Sequence, residues 1–183
     1  MLNLTPTLSD DVIGLSPLCA DDFEALYTVA GDKDLWAGHP NKDRYQRAEF
    51  EAWFAAAMAS DGVLKITDLK TQSVIGSSRY YEYQAPEREV AVGYTFLARA
   101  YWGGPTNRRL KSLMFNHAFE YVNRIWLHIG AENKRSQRAA EKIGAVRSHI
   151  EHKQLSGDTQ QYVYYYVDKP GDSSPWHPEI NQD

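Results

Sequence analysis

Apolar residues recur at two spacings in the first sixty residues, and each spacing predicts a different element. Apolar side chains concentrate in residues 12–18, which predicts a first strand. Phe23, Leu26 and Tyr27 share one helical face, which predicts a helix that begins at the capping stretch 20–22 and ends near residue 30. A second helix before the Asp61-Gly62 turn is indicated by four more apolar residues at helical spacing: Phe50, Trp53, Phe54 and Met58.

The middle and end of the chain predict a meander followed by a strand–helix repeat. Segments 63–69, 73–81 and 89–97 predict antiparallel strands, because the 70–72 link is short enough only for a hairpin turn. The remaining elements are a helix, a strand, a helix before Gly144 and two closing strands about a 156–158 turn: residues 106–123, 125–130, 134–143, 146–154 and 161–167. A strand–helix–strand run requires a parallel crossover, so we expect an α/β fold with a mixed sheet.

Size and charge limit the functional classes. With 183 residues, 43% of them apolar, the chain fits one globular domain. We place this domain at residues 1–169 and a tail at 170–183, because a Pro, Gly and Ser cluster at 170–175 ends regular structure. The formal charge of −4 argues against nucleic-acid binding through a basic field and favours a cationic amine as partner.

Cysteine usage and hydropathy predict a cytoplasmic protein. Cys19 is the single cysteine, so no intramolecular disulfide can form, and we expect a small buried or half-buried thiol in a reducing compartment. No segment has the apolar length of a membrane span, and residues 1–10 lack the pattern of a signal peptide. No His, Cys, Asp and Glu set has metal-ligand spacing, so we expect neither membrane association nor a metal.

Two segments carry the strongest functional signal. Residues 101–107, YWGGPTN, form a glycine-containing turn before a predicted helix, where free backbone N–H groups and the helix dipole favour a phosphate or pyrophosphate. A Walker loop would need the sequence Gly-Lys-Ser/Thr, and a dinucleotide-binding fold would need three glycines at fixed spacing. Neither pattern is present. An isolated Gly-Gly is more often a tight loop, but the downstream Asn133-x-x-Ser136 favours a functional turn.

Taken together, these patterns resemble a known family. Residues 93–97 (GYTFL), Arg99, the 102–104 turn, residues 133–136 (NKRS) and 141–144 (EKIG) are similar to the GCN5-related N-acetyltransferase (GNAT) family, and most similar to its ribosomal-protein N-terminal acetyltransferase branch. The similarity is densest from residue 74 to 145. It implies that two central parallel strands splay apart around acetyl-coenzyme A, the acetyl donor.

The resemblance also implies which residues hold the coenzyme. Its pantetheine would pair with the strand edge Phe96, Leu97 and Ala98 beside Asn133 and Ser136. Its pyrophosphate would accept hydrogen bonds from the backbone amides of the turn: Trp102, Gly103, Gly104, Thr106, Asn107 and Arg108. Three positions depart from the usual family turn. This chain has Trp102 where the family usually has Arg or Gln, Pro105 where it has Gly, and Asn107 where it has Gly or Ala. Because proline lacks an N–H, we expect an intact turn with one donor fewer.

Catalytic roles follow from the same resemblance. The Leu97 N–H would polarise the thioester carbonyl, and the Ser136 hydroxyl would assist the departing thiolate, although helix capping by Asn133 and Ser136 is an equally open interpretation. Glu89 is the candidate general base, against the ordinary interpretation of an exposed strand-end glutamate. The rival bases are Glu82, Glu151, His152 and His128.

The acceptor pocket is predicted from aromatic residues. Trp36 and His39 lie in the 35–40 connector, which walls this pocket in the family, although a large aromatic residue more often belongs to the core. Tyr81 and Tyr94 are further candidates. Tyrosines of the 162–166 run must lie on both faces of their strand, which fits a half-buried hairpin or a dimer surface.

The leading hypothesis is an acetyl-coenzyme A-dependent N-acetyltransferase for a primary amine, either a small molecule or a protein N-terminus. A homodimer is an additional expectation. The alternative is a non-catalytic acyl-coenzyme A-binding module of the same fold. A nucleotide phosphate-binding enzyme is disfavoured by the missing lysine and magnesium ligands.

Overall fold

The fold is a twisted sheet flanked by four helices, and a computed structural model describes residues 1–155 and 158–171. The strands are β1 Leu8–Ser9, β2 Ile13–Pro17, β3 Val63–Asp68, β4 Ser73–Gln84, β5 Glu89–Leu97, β6 Arg124–Gly130, β7 Val146–Leu155 and β8 Asp158–Asp168. The helices are α1 Phe23–Ala30, α2 Arg47–Met58, α3 Thr106–Phe119 and α4 Lys134–Lys142.

One parallel strand pair interrupts an otherwise antiparallel sheet of order β1-β2-β3-β4-β5-β6-β8-β7. The parallel pair is β5 with β6, and its pairing covers only Glu89↔Arg124, Val90↔Ile125 and Ala91↔Trp126. Beyond Ala91, β5 continues to Leu97 with pairing only to β4 in the described residues. The expected α/β mixed sheet and its splayed central pair are therefore confirmed.

Helices cover one face of the sheet fully and the other only in part. Leu110 and Met114 of α3 are completely buried against one face, together with Tyr80 of β4, whose hydroxyl donates to the Met114 carbonyl at 2.6 Å. On the opposite face, α1 and α2 bury Leu26 and Phe50 over the β3 to β5 part of the sheet. The β6 and β8 part of that face is left without a helix among the described elements.

Several element ends differ from the sequence-based expectation. Helix α3 ends at Phe119, four residues early, because Asn123 turns back to donate its N–H to the Arg88 carbonyl at 2.7 Å. Strand β4 extends past residue 81 to Gln84 through a bulge. Cys19 is exposed rather than buried or half-buried as expected, and its thiol donates to Asp22 at 3.0 Å. The hairpin positions 156–157 and the tail from residue 172 lie outside the described residues.

Candidate active site

The splay between β5 and β6 exposes a backbone edge at Leu97. The Ala98 N–H crosses to β4 and donates to the Ile75 carbonyl at 2.8 Å. Because N–H directions alternate along an extended strand, Leu97 presents its N–H and carbonyl to the opposite edge, towards β6. The carbonyl accepts a hydrogen bond from the Trp102 indole at 2.9 Å. The Leu97 N–H has no partner among the described backbone groups, as the predicted oxyanion donor requires.

The 102–104 turn and the start of α3 form a cluster of free backbone donors. Gly103 has a φ of +74°, a conformation that favours glycine, and side-chain atoms added at Gly103 or Gly104 would meet open space. The first intrahelical bond runs from the Arg109 N–H to the Pro105 carbonyl at 2.9 Å, and no side chain caps the helix. This leaves the N–H groups of three residues without partners among the described residues: Thr106, Asn107 and Arg108.

Trp102 plays a different part from the expected one. Its backbone N–H donates to the Arg99 carbonyl at 3.0 Å, so it cannot donate to a phosphate, and the predicted amide role of this residue is corrected. Its side chain instead supports the turn, through the indole bond to Leu97 and through Arg135, whose guanidinium lies 3.6 Å from the ring centroid. Arg135 belongs to α4, so this contact joins the two sides of the splay.

The start of α4 places Asn133 and Ser136 beside β6, which ends at Gly130. The Asn133 side chain accepts a hydrogen bond from the Ser136 N–H at 3.2 Å and is a helix cap, with 9% of the residue exposed. The Ser136 hydroxyl is half-buried and makes no hydrogen bond to a described residue. Capping therefore accounts for Asn133 and leaves the Ser136 hydroxyl available for chemistry.

Tyr81, Tyr94 and His128 meet on the sheet face opposite α3. The Tyr81 hydroxyl and the His128 Nδ1 are 3.0 Å apart, and the Tyr81 and Tyr94 ring centroids are 5.1 Å apart. His128 lies two residues beyond Trp126, the last β6 residue paired with β5, so it faces the opening of the splay. The structure therefore brings the two predicted tyrosines together with one of the rival bases.

Burial keeps His128 neutral. Desolvation, with a contribution from the Lys153 ammonium, lowers the pKa of His128 to about 4. The Tyr164 ring packs at 3.9 Å between centroids, and the Glu82 carboxylate lies 3.8 Å from Nδ1. A neutral imidazole at pH 7 can accept a proton, and the Glu82 carboxylate stands next to it.

A buried lysine supports the neighbouring strand bulge. Lys111 of α3 donates to the Thr95 hydroxyl at 2.9 Å, and that hydroxyl lies 2.8 Å from the Ser78 hydroxyl. Burial without a carboxylate partner lowers the pKa of Lys111 to about 7. This chain of contacts underlies Tyr94, which adopts a φ of +52° where the β4–β5 register shifts.

The connector residues divide between core and site. Trp36 is 1% exposed and donates its indole N–H to the Ala30 carbonyl at 2.7 Å, so the structure places it in the core rather than on a pocket surface. His39 packs edge-on against Trp36 at 5.2 Å between centroids. Desolvation and the charge of Arg44 lower the pKa of His39 to about 4.

Glu89 lies at the wrong end of β5 to act as the base. Eight residue steps along β5 separate it from Leu97, up to about 26 Å for an extended strand. Its carboxylate accepts a hydrogen bond from the Trp126 indole at 2.7 Å. Among the rivals, Glu151 pairs with His149 at 3.1 Å and His152 contacts Gln161 at 3.1 Å on the exposed hairpin. The other two rivals, His128 and Glu82, lie together at the splay, 3.8 Å apart.

Two arginines at this site were not predicted from the sequence. Arg79 lies 5.0 Å from the Tyr94 ring centroid, and Arg44 lies 5.2 Å from that of Trp36. Neither was predicted, because an arginine within a strand or connector is typical of an exposed position. Only the pairing of β4 with β5 and the path of the connector bring both towards Tyr94.

Comparisons with known proteins agree with this geometry. The family model of the acetyltransferase (GNAT) domain matches residues 13–146. A GCN5-related N-acetyltransferase from Brucella melitensis is similar in structure, with a TM-score of 0.79 and 19% identity over 90% of this chain and 79% of that one. No curated protein sequence matches the chain.

Two further structures from Vibrio cholerae share the fold. One is described as a putative ribosomal-protein-serine acetyltransferase, with a TM-score of 0.70 and 15% identity over 92% of this chain and 99% of that one. The other is a spermidine N-acetyltransferase in complex with CoA and spermine, with a TM-score of 0.66 and 17% identity over 87% of this chain and 97% of that one. Within the described residues, no helix is long and apolar enough to cross a membrane.

The extent of the domain match, the splayed β5–β6 pair and the donor-rich turn agree with one another. The chain belongs to the GNAT family and carries its acetyltransferase domain.

Proposed function

We propose that this enzyme transfers the acetyl group directly to a primary amine within a ternary complex, using residues 1–169 as its catalytic domain. The acceptor is a small molecule or a protein N-terminus. The observation that carries the proposal is the splay itself, which has the unpaired Leu97 N–H on one strand and the Tyr81–His128 pair at its opening. A carbonyl-polarising donor and a proton acceptor thus share one cleft.

The free donors of the turn fit the coenzyme pyrophosphate. Five backbone N–H groups would hold it, those of Gly103, Gly104, Thr106, Asn107 and Arg108, and the strand edge from Phe96 to Ala98 would orient the pantetheine. Acetyl-coenzyme A supplies the acetyl group as a thioester, whose carbonyl carbon is open to attack by an amine nitrogen. Pro105 precedes the first helical residue, so its missing N–H leaves the donors of α3 intact.

Leu97 and Ser136 would each donate a hydrogen bond to the reacting thioester, Leu97 to its carbonyl oxygen and Ser136 to its sulfur. The Leu97 N–H would stabilise negative charge that develops on the carbonyl oxygen, a type of interaction worth about 3 kcal/mol in other acyl-transfer sites. The Ser136 hydroxyl, free of intramolecular partners in the described residues, would donate a hydrogen bond to the departing thiolate. No covalent enzyme intermediate is needed.

His128 is the proposed proton acceptor. It is neutral because burial lowers its pKa to about 4, and its Nδ1 is 3.0 Å from the Tyr81 hydroxyl. A proton taken from the acceptor amine would reside on the imidazole, and the Glu82 carboxylate, 3.8 Å from Nδ1, would stabilise the resulting positive charge. His128→Gln should lower kcat about 100-fold while acetyl-coenzyme A affinity changes little, because general base catalysis contributes about this factor.

A non-catalytic acyl-coenzyme A-binding module is the second candidate, since Trp102 replaces the usual first residue of the turn and its amide is already bonded. Calorimetric titration with acetyl-coenzyme A, coenzyme A and ATP tests the shared binding step. Binding of both coenzyme forms but not ATP is the expected result. Absence of acetyl-coenzyme A binding would contradict both candidates.

Ser136→Ala then separates enzyme from module. We expect the variant to bind acetyl-coenzyme A within threefold of wild type but to release thiol about 30-fold more slowly with an amine panel. Thr28→Ala on α1, whose hydroxyl bonds only to the Glu24 carbonyl, is a matched hydroxyl control. Thiol release that no amine stimulates in wild-type protein would favour the module. The cytoplasmic location and homodimer remain predictions, the latter testable by light scattering.

A further inference from the structure

Two guanidinium groups beside the proposed acceptor cleft have no ion-pair partner among the described residues. The Nε atoms of Arg44 and Arg79 are both buried and without a hydrogen-bond acceptor. Neither side chain takes part in a salt bridge within residues 1–155 and 158–171. A buried donor without an acceptor costs about 1–3 kcal/mol, and more when the group is charged. A ligand that supplies an acceptor would remove this cost.

Both arginines lie around Tyr94. The Arg79 guanidinium is 5.0 Å from the Tyr94 ring centroid. The Arg44 guanidinium is placed by Trp36 and Trp53, at 5.2 and 5.8 Å, and is close enough to Tyr94 and Tyr162 to interact electrostatically with both phenol groups. Tyr94 in turn contacts Tyr81, the partner of His128. The arginines therefore border the cleft from which the amine would attack.

The carboxylates on this side do not neutralise the pair. Glu82 faces Lys153 at 3.7 Å, and Glu151 faces His149 at 3.1 Å. Glu49 attracts Arg44 only beyond ion-pair distance. Desolvation lowers the pKa of Arg44 to about 10, which still leaves it a cation at neutral pH. The local balance is positive, although the whole chain carries a formal charge of −4.

We propose that Arg44 and Arg79 bind a carboxylate of the acceptor, so that the substrate is a primary amine that also carries a carboxylate group. A guanidinium edge matches the two oxygens of a carboxylate, and such charge-assisted bonds are the strong ones. A polyamine, which needs carboxylates around its charges, is disfavoured by the same residues. The carboxylate can come from a free amino acid or from an acidic side chain near a peptide N-terminus. This inference rests on the proposed acetyl transfer.

Matched acceptor pairs test the inference by thiol release at saturating acetyl-coenzyme A. One pair is leucine and leucinamide. The other is an amidated peptide beginning Ser-Glu and its Ser-Gln counterpart, with spermidine as a cationic reference. We expect the carboxylate member of at least one pair to be preferred at least tenfold in kcat/KM, and the pair that shows this identifies the source. Equal use within both pairs, or preference for spermidine, would overturn the inference while leaving acetyl transfer intact.

Arginine variants assign the effect to the site. Arg79→Met and Arg44→Met should each raise the KM for the carboxylate acceptor about tenfold and reduce the preference towards one, with the KM for acetyl-coenzyme A within twofold. Arg79→Lys should recover part of the preference, because it restores the charge but not the planar fork. Arg147→Met on the exposed edge of β7 is the matched control and should change neither constant.

The inference can also be tested when none of the acceptors is acetylated. If no acceptor reacts, calorimetric titration of the coenzyme A complex with the same pairs replaces the kinetic assay. Binding of a carboxylate member that Arg79→Met abolishes supports the inference, and equal or absent binding overturns it. Failure of the coenzyme to bind, by contrast, contradicts the proposed function itself.

Discussion

The two walls of the cleft are built from different atoms. The wall that we propose for the coenzyme consists of backbone groups: the Leu97 edge, the glycine turn and the first N–H groups of α3. The wall that we propose for the acceptor consists of side chains from separate elements, including Arg44 before α2, Arg79 on β4 and His128 on β6. A backbone-built site tolerates side-chain replacement as long as its conformation survives. Trp102 and Pro105 supply no free N–H to the turn, but the N–H groups of Gly103, Gly104 and the first residues of α3 have no partner among the described residues.

The largest effect should come from breaking the backbone conformation of the coenzyme wall. Gly103→Val places a β-branched residue at φ +74°, where non-glycine residues lose about 1–2 kcal/mol and β-branched ones more. Acetyl-coenzyme A affinity should fall at least 30-fold in calorimetry. Asn107→Ala, which keeps its N–H and removes only a side chain, should change affinity less than threefold. Equal losses in both variants would contradict a backbone-built wall.

The histidines of the acceptor side should instead make the free energy of unfolding depend on pH. His39 and His128 have pKa values lowered from 6.5 to about 4, so the unfolded chain binds more protons between these values. Their stabilising effect is complete above pH 6.5 and is lost as pH falls towards 4. Between pH 7.5 and 5 each of these two partly buried histidines should lower the free energy of unfolding by up to about 2 kcal/mol.

Denaturant unfolding of His128→Gln at both pH values measures this difference. The drop between pH 7.5 and 5 should shrink by about 2 kcal/mol relative to wild type, because the variant has no proton to bind at this position. His152→Gln on the exposed hairpin is the control and should leave the drop unchanged. An unchanged drop in His128→Gln would show that this imidazole is not held neutral by the fold.

A smaller effect is expected where a side chain supports the coenzyme wall. Trp102→Phe removes the indole bond to the Leu97 carbonyl and keeps an aromatic ring for Arg135. One hydrogen bond is worth about 1 kcal/mol, so the KM for acetyl-coenzyme A should rise about fivefold in steady-state assays. A loss as large as that of Gly103→Val would mean that this side chain, not the backbone, carries the turn.

The smallest effect is expected at the far end of β5. Glu89→Gln should keep kcat/KM within twofold in the thiol-release assay, because this residue lies up to about 26 Å along the strand from Leu97. The free energy of unfolding should fall by about 1 kcal/mol, since the Trp126 indole loses a charged acceptor. A tenfold loss of activity would restore Glu89 as a catalytic candidate.

The features of the backbone wall were predicted from the sequence better than the neighbours of the side chains in the other wall. The order of elements, the parallel crossover and the donor turn were predicted, because strand and helix periodicity and glycine usage are local properties of the chain. The tyrosines on both faces of β8 were also predicted: Tyr165 donates to Glu141 of α4 on one face, and the Tyr164 ring packs against His128 on the other. Local pattern fixed which face each residue occupies, but not its neighbours.

Long-range pairing decided the rest. Glu89 and Trp36 are plausible site residues by type, yet strand length separates the first from the cleft and burial under α2 and the connector removes the second. Arg79 and His128 come from positions far apart in the chain, and they reach Tyr94 and Tyr81 only because β4, β5 and β6 pair side by side. Arg44 is brought towards Tyr94 by the path of the connector before α2. Backbone conformation is set within a few residues, and so the chain's own pattern determines the coenzyme wall. Contacts between distant side chains depend on register and packing, and so only the folded structure determines the acceptor wall.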